Sequence, residues 1–346
     1  IFFSSGTTSL PKGIVHAQRA FCIQWWRWPR VFAMREPVVS WTGNGLFWSG
    51  NISLVIGTAF STGGTAVLQP VFDAAAALDV IEQERVTFLT GRPHQWARVQ
   101  AADNWASADL SSLKYVTKGE RIGEHPTVDT DWTTPMAFGT TETMTICTAF
   151  DADTSDAEYG GSAGAPLPGN SLKSVDPLTR AILPVGQAGE MCIKGPTLMS
   201  GYLGKSPEAC FDAEGYYRTD DGGRVDEQGR FFWEGRLKDM IKTGGANVAP
   251  EEVDAAIASF PGVKRSQTVG VPDELLGEMV VACIVPVDGA RVTESDLIAH
   301  LKARMASFKV PRRVLLLDEA DFALTGNEKA KAADIRAVAV ARLSDP

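Results

Sequence analysis

Ile1-Phe2-Phe3 runs straight into Ser4-Ser5-Gly6-Thr7-Thr8-Ser9-Leu10-Pro11-Lys12-Gly13. The three apolar residues read as the end of a buried strand. The stretch that follows reads as a loop of hydroxyls, one internal glycine and a lysine. Such a loop suits a polyphosphate: backbone N–H groups and hydroxyls donate to the non-bridging oxygens, and the ammonium neutralises charge. It is not the GxxxxGK[ST] loop, which would need Gly at Pro11 and Ser or Thr at Gly13. A Ser/Thr-rich surface turn has the same composition, so the choice between the two depends on what lies further along the chain.

Outward from that loop, residues 73–84 have helical periodicity, Val86-Thr87-Phe88-Leu89 is a short β-rich run, and 93–102 returns to helix. Leu113-Lys114-Tyr115-Val116 and Pro135-Met136-Ala137-Phe138 are further strand candidates. Strands alternating with helices of this length imply βα units and an α/β fold with a mostly parallel sheet. From about residue 151 the texture changes. Gly160, Gly161, Pro166, Pro168, Gly169, Pro177, Pro184, Gly186 and Gly189 punctuate short β segments, as in an irregular β-barrel part. Phe231-Phe232-Trp233 closes a hairpin over Asp226-Glu227-Gln228-Gly229.

After Gly235-Arg236 the pattern resets to a small α+β C-terminal domain. A helix over 250–259 opens on Pro250, strands follow over 268–271 and 279–287, and Thr293-x-x-Asp296 starts a helix over 293–306 in the manner of a capping box. A strand over 314–317 and a terminal helix complete it. The expected domains are 1–237, β-rich from about 151, and 238–346.

Composition narrows the classes of partner. The 346 residues carry 33 Lys+Arg against 42 Asp+Glu, a formal charge of −9 that argues against nucleic acid. No apolar run approaches the ~20 residues of a membrane span. Cys22, Cys147, Cys192, Cys210 and Cys283 are scattered, never CxxC, and read as reduced thiols of a cytoplasmic protein.

Further motifs lift the loop above a surface turn. Phe138-Gly139-Thr140-Thr141-Glu142 ends a strand on a carboxylate, the hard oxygen ligand that Mg²⁺ prefers. Tyr217-Arg218-Thr219-Asp220-Asp221 offers carboxylates for ribose hydroxyls. Gly235-Arg236-Leu237-Lys238-Asp239 lies at the domain junction, followed by Lys242-Thr243-Gly244-Gly245-Ala246-Asn247-Val248-Ala249-Pro250-Glu251-Glu252-Val253 and, near the end, Leu324-Thr325-Gly326-Asn327-Glu328-Lys329. Each alone is weak; together and in this order they are specific.

Their order and residues resemble the adenylate-forming superfamily of acyl-CoA synthetases, luciferases and peptide-synthetase adenylation domains, over essentially the whole chain. The resemblance implies ATP, Mg²⁺ and coenzyme A. An acid is activated as acyl-AMP with release of pyrophosphate, and a thiol then takes the acyl group after the small domain rotates. It also implies roles for residues. Ser4, Ser5, Gly6, Thr7, Thr8 and Lys12 would hold the pyrophosphate end of ATP. Phe138 would stack on adenine against Lys118-Gly119-Glu120. Gly139 and Thr140 would line the same site, with Gly139 also facing the acid. Thr141 and Glu142 would bind phosphate and Mg²⁺, Asp221 the ribose, and Arg236 the ribose and phosphate region. Lys242, Gly244 and Gly245 would complete the nucleotide site, Lys238 would be the hinge, and Lys329 would approach the α-phosphate. Trp48, in Gly45-Leu46-Phe47-Trp48-Ser49-Gly50, aligns with an aromatic gate to the acyl pocket. Lys118 either touches a polar group on the acid or pairs with Glu120 on the surface.

The chain departs from the family pattern in four ways. Ser9 and Asp220 stand where glycine is usual, Lys118, Glu120 and Arg121 replace a small-residue adenine wall, and Glu328 precedes Lys329. His16, His94, His125 and His300 show no metal spacing and read as structural or surface residues. Gly57-x5-Gly63-Gly64 reads as helix–strand packing, and Trp25, Trp26, Trp28 and Trp41 read as core. The function expected is a ligase joining a hydrophobic or aromatic carboxylic acid to coenzyme A. The alternatives are loading of a carrier protein and a non-catalytic nucleotide-binding module. The family's N-terminal portion has no counterpart before Ile1, so further chain or a partner surface is expected against this one.

Overall fold

A computed structural model describes residues 1–4, 12–244, 246–322 and 332–344. The chain divides into two units, Ile1–Thr219 with Arg224–Trp233, and Asp220–Gly223 with Glu234–Pro346.

The first unit is α/β, as the alternating pattern indicates, with one parallel three-stranded sheet among the described residues. Val39–Thr42 lies between Thr65–Leu68 and Phe88–Thr90, with Trp41 opposite Val67 and Leu89. The helix Ala74–Gln83 makes the crossover. It starts where Asp73 accepts from the Ala76 N–H at 2.9 Å, and Ala77, Leu78 and Ile81 share its buried face with Trp41, Trp96 and Leu110. Leu78 and Ile81 each contribute ~1.5–3 kcal/mol of burial. The 113–116 candidate supplies only a parallel bridge from Tyr115 to Phe88. Elsewhere pairing in this unit is antiparallel: Phe2–Ser4 on Lys12–Val15, Gly201–Tyr202 on Lys12–Val15, Ala137–Thr140 on Thr145–Ala149, and Ser171–Val175 on Gly189–Lys194. The sheet holding the last pair runs on to Tyr217–Val225 and Phe231–Arg236 and stays open. The expected barrel is therefore corrected: among the described residues no sheet closes. The strands are divided among several short open sheets, without the continuous shear that closure needs.

Two elements escape a reading by periodicity. Gln18–Val31 is a 14-residue helix whose buried face is Ala20, Gln24, Arg27, Trp28 and Val31. Asn51–Ile56 is a π-helix that runs into the α-helix Gly57–Thr62. Gly63 ends it with φ +71°, and a Cβ on Gly64 would lie 2.0 Å from the Val38 carbonyl oxygen, so these glycines serve helix–strand packing. Of the tryptophans, Trp28 and Trp41 are core, Trp25 is half-buried, and Trp26 is 73% exposed. The opening strand is buried on one face only: Phe2 is inside, while Ile1 and Phe3 are each 65% exposed.

In the second unit a five-stranded sheet runs Ala246–Val248, Ile241–Thr243, Gly277–Pro286, Val263–Asp273, with Arg313–Leu316 pairing parallel to Gly277–Pro286. Val280, Ala282 and Ile284 enter one core with Val253, Ile257, Leu297 and Leu301, while Val281, Cys283 and Val285 enter another with Ile335 and Ala339. Helices cover both faces, and that is why this strand is apolar at consecutive positions rather than alternating ones. Thr293 accepts from the Asp296 N–H at 3.2 Å and opens the helix Glu294–Lys302.

Candidate active site

In the first unit the strand Ala137–Thr140 passes into a 3₁₀ turn, Thr141–Thr143, and returns as Thr145–Ala149. The return is strained: Met144 has φ +56° and the β-branched Thr145 has φ +75°, a conformation that costs of order 1–3 kcal/mol per residue. Its surroundings hold it. The Gln24 amide donates to the carbonyls of Met144 and Ile146 at 2.8 and 2.7 Å. The Thr143 hydroxyl accepts from the Thr140 N–H at 3.0 Å and donates to the Thr145 carbonyl at 2.7 Å. Gly139 is required here, since a Cβ would lie 1.9 Å from the Thr145 carbonyl oxygen where the register shifts between Phe138 and Gly139.

The turn presents Thr141 and Glu142. His16 Nε2 donates to the Thr141 carbonyl at 2.7 Å, and the Ser49 hydroxyl reaches Thr141 Oγ1 at 3.4 Å. Burial lowers the His16 pKa against the pull of that carbonyl and of Glu142, which leaves a neutral ring protonated on Nε2. Glu142 is half-buried. Its Oε1 accepts from the Tyr202 hydroxyl at 2.7 Å, and its carbonyl accepts from the Met199 N–H at 2.8 Å. Tyr202 meets Tyr217, oxygen to oxygen, at 3.0 Å. Burial and the Glu142 charge raise the Tyr202 pKa, so the phenol stays protonated. The Lys12 ammonium sits 5.3 Å from the Tyr202 ring centroid and that of Lys205 5.4 Å. Lys12 and Tyr202 share one sheet, because Tyr202 pairs with Ile14.

The structure thus brings Lys12, Thr141 and Glu142 into one cluster, with Trp48 one residue from the Ser49–Thr141 contact. Trp48 is half-buried beneath the Arg92 guanidinium, 4.1 Å from its ring. The remaining first-unit candidates lie differently. Phe138 packs on Phe231 and Trp233 at 4.9 and 6.5 Å. Lys118, Gly119 and Glu120 are exposed. Among the described residues Lys118 forms no ion pair with Glu120, whose pKa is raised by partial burial against a hydrogen bond from Trp96. The backbone of Ser4 is opposite Lys12, whereas Ser5, Gly6, Thr7, Thr8 and Ser9 lie outside the described residues. A cavity of about 390 Å³ lined by Trp26, Arg27, Phe150 and Leu167 includes none of the cluster residues.

In the second unit Asp221 is buried, its side chain 1% exposed, and Arg236 Nε reaches its Oδ1 at 2.9 Å. Asp220 is exposed and holds φ +58°, the left-handed backbone that glycine usually supplies; the two aspartates therefore occupy different environments. Lys238 is exposed in the turn after Arg236. Lys242 is exposed, its N–H donating to Glu278 at 2.9 Å, and the Gly244 N–H donates to the Leu276 carbonyl at 2.9 Å. Gly245, Glu328 and Lys329 lie outside the described residues.

Sequence reasoning did not single out Tyr202, Tyr217 or Arg92, while His16, read as structural or surface, braces the Thr141 carbonyl. Gly201-Tyr202 and Tyr216-Tyr217 carry no signal by themselves, because their partners lie far away in the chain. His125 is structural as expected, bound to Thr127 and the Trp105 carbonyl at 2.9 and 2.8 Å. All five cysteines are free, and burial pushes the thiols of Cys192 and Cys283 up to about 12. Among the described residues no helix is long and apolar enough to cross a membrane, and no group of three or more His, Cys, Asp or Glu could hold a metal by itself.

Residues 1–203 match the family model described as AMP-binding enzyme, and 252–329 match the AMP-binding enzyme C-terminal domain. The chain is 34% identical to an indoleacetate–CoA ligase of Aromatoleum aromaticum over 92% of its own length and 63% of that protein. It is 32% identical to a feruloyl-CoA synthase of Amycolatopsis sp over 97% of itself and 69% of the relative. ATP-bound MatB from Rhodopseudomonas palustris superposes with a TM-score of 0.80 at 26% identity, over 98% of this chain and 68% of that one. The chain therefore spans about two thirds of the length of these relatives.

Proposed function

The chain belongs to the AMP-binding enzyme family, and from that premise we propose that it joins a hydrophobic or aromatic carboxylic acid to coenzyme A through an acyl-adenylate. The observation that carries this reading is the Glu142 cluster: a carboxylate on a braced, strained turn with Lys12 in the adjoining sheet. A carboxylate oxygen of the acid bonds to the α-phosphorus of ATP as the bridging P–O bond to the β-phosphate breaks, and pyrophosphate leaves. The coenzyme A sulfur then attacks the acyl carbon, its proton is lost, and AMP departs.

Lys12 holds phosphate charge, with the Ser4–Thr8 residues beside it in sequence, and Thr141 orients the phosphate. One carboxylate completed by substrate phosphates and water is an ordinary Mg²⁺ donor set, and Glu142 fits it; bound there, Mg²⁺ would neutralise charge on the phosphates. Asp221, already paired with Arg236, accepts from the ribose hydroxyls. Phe138, Gly119, Glu120, Gly139, Thr140, Lys242, Gly244 and Gly245 complete the nucleotide site. Lys238 is the hinge at a boundary of 237/238, and Lys329 stabilises the charge that builds around the α-phosphate. Trp48 gates the acid pocket, and the aryl acids named for the two relatives support an aromatic substrate. The exposed Ile1, Phe3 and Leu203 support a covering surface from further chain or a partner. A cytoplasmic location accords with the free thiols.

ATP–pyrophosphate exchange across acids of graded length and aromaticity tests the reading. It expects exchange with aryl or medium-length acids and AMP release with coenzyme A alone. Exchange with no acid, or AMP release only with a carrier protein, overturns it.

A further inference from the structure

Among the described residues no ion pair holds Glu142. Its Oε1 accepts from the Tyr202 hydroxyl at 2.7 Å, and that hydroxyl has one proton to give. The 3.0 Å contact between the Tyr202 and Tyr217 oxygens therefore runs the other way, Tyr217 donating to Tyr202. The result is a directed chain from Tyr217 through Tyr202 to Glu142, and each link polarises the next. Tyr217 is buried at 6% exposure and packs on Phe211, which fixes the start of the chain. Tyr202 sits on the strand paired with Lys12–Val15, and two ammonium groups flank its ring.

We propose that Tyr202 is the positioning residue for Glu142, with Tyr217 as its support. By occupying one carboxylate oxygen with a neutral donor, the pair leaves the Glu142 charge intact and aims the other oxygen at a divalent cation carried by the nucleotide. An arginine in the same place would orient the carboxylate equally well but cancel the charge the cation needs. This inference rests on the reading of Glu142 as the cation ligand.

The test is calorimetric binding of ATP in saturating magnesium and in EDTA, which isolates the tightening due to the metal. Glu142→Gln abolishes that tightening if the underlying reading holds; full tightening in Glu142→Gln overturns that reading and this proposal with it. Tyr202→Phe keeps the ring beneath Lys12 and Lys205 and removes only the hydroxyl. It is expected to cut the metal-dependent tightening ~10-fold while the affinity in EDTA and the Tm of the ligand-free protein stay at parental values. Tyr217→Phe is expected to cut it ~3-fold in the same manner. If Glu142→Gln loses the tightening and Tyr202→Phe retains it, the positioning role is wrong. Equal weakening with and without metal in Tyr202→Phe also overturns it, since that marks a merely structural hydroxyl.

Discussion

Two carboxylates, one in each unit, are kept in opposite ways. Asp221 is buried and faces the Arg236 guanidinium at 2.9 Å; Glu142 is half-buried and accepts from a phenol at 2.7 Å. A carboxylate against a guanidinium has its charge neutralised and keeps its value as an oriented acceptor of neutral hydroxyls. A carboxylate held by a hydroxyl keeps its charge for whatever cation arrives. On the proposed reading the difference would separate two tasks, ribose recognition by Asp221 and cation binding by Glu142.

The sharpest break in that contrast is Arg236→Ala. Removing the guanidinium leaves Asp221 buried and short of its cation, a loss of about 3 kcal/mol, at the low end for buried pairs because Arg236 is 40% exposed. Glu142→Gln removes no buried charge pair and should cost less than about 1 kcal/mol. Urea unfolding of both variants measures the difference, and equal losses would erase the distinction.

A third carboxylate sharpens the same point through pH. Asp254 accepts from the Thr268 N–H and hydroxyl at 3.0 and 2.8 Å, yet burial pushes its pKa up to about 6. A folded pKa above the ordinary 3.8 means that the folded state binds the proton more tightly. The contribution of Asp254 to stability is therefore greatest at low pH, falls as pH rises from about 4 through about 6, and is level above, with a total loss of about 2–3 kcal/mol. Asp254→Asn should flatten this slope relative to the parent. Parallel slopes from pH 4 to 7 would show that the carboxyl ionises freely.

How far the sequence reveals these arrangements depends on the range of each interaction. The cap at Asp73, the Thr293 start and the hairpin over Asp226–Gly229 are local, and composition with spacing is enough to find them. The apolar strand within Gly277–Pro286 is legible because two covered faces demand apolar residues at every step. The helix Gln18–Val31 is obscured by its tryptophans, and Asn51–Ile56 by β-branched residues wound into a π-helix. The Thr-Thr-Glu triplet stands out in the sequence, but its support does not: Tyr202 is 60 residues from Glu142, and His16 is 125 from Thr141. Contacts at that separation leave no periodic trace.

The strained turn under Glu142 gives a smaller effect. Gly139→Ala places a Cβ against the Thr145 backbone, which cannot yield as a flexible side chain would. The expected loss is about 2 kcal/mol, with weaker binding of ATP in magnesium than in EDTA relative to the parent. Asp220→Gly acts on a left-handed residue whose backbone glycine adopts without strain, and should stabilise by no more than about 1 kcal/mol. Thermal unfolding of the two variants distinguishes a turn that demands glycine from one that merely tolerates aspartate.

The smallest expected effect lies at the rim of the Glu142 cluster. Trp48 is tied to it through Ser49 and Thr141, yet its ring meets Arg92 and Phe47 rather than the carboxylate. On the proposed reading a ring placed there would limit the space open to an acyl group and contribute no charge to the nucleotide. Trp48→Ala should therefore leave the affinity for ATP within about twofold while changing the ratio of kcat/KM for long over short acids by about 3–10-fold, the size of a one- or two-methylene difference in an apolar pocket. Arg92→Gln, which removes the cation above the ring but keeps its volume, should move the ratio in the same direction and less far. A constant ratio in both variants would make Trp48 a packing residue, and a loss of ATP affinity matching the loss of acid selectivity would place it in the nucleotide site instead.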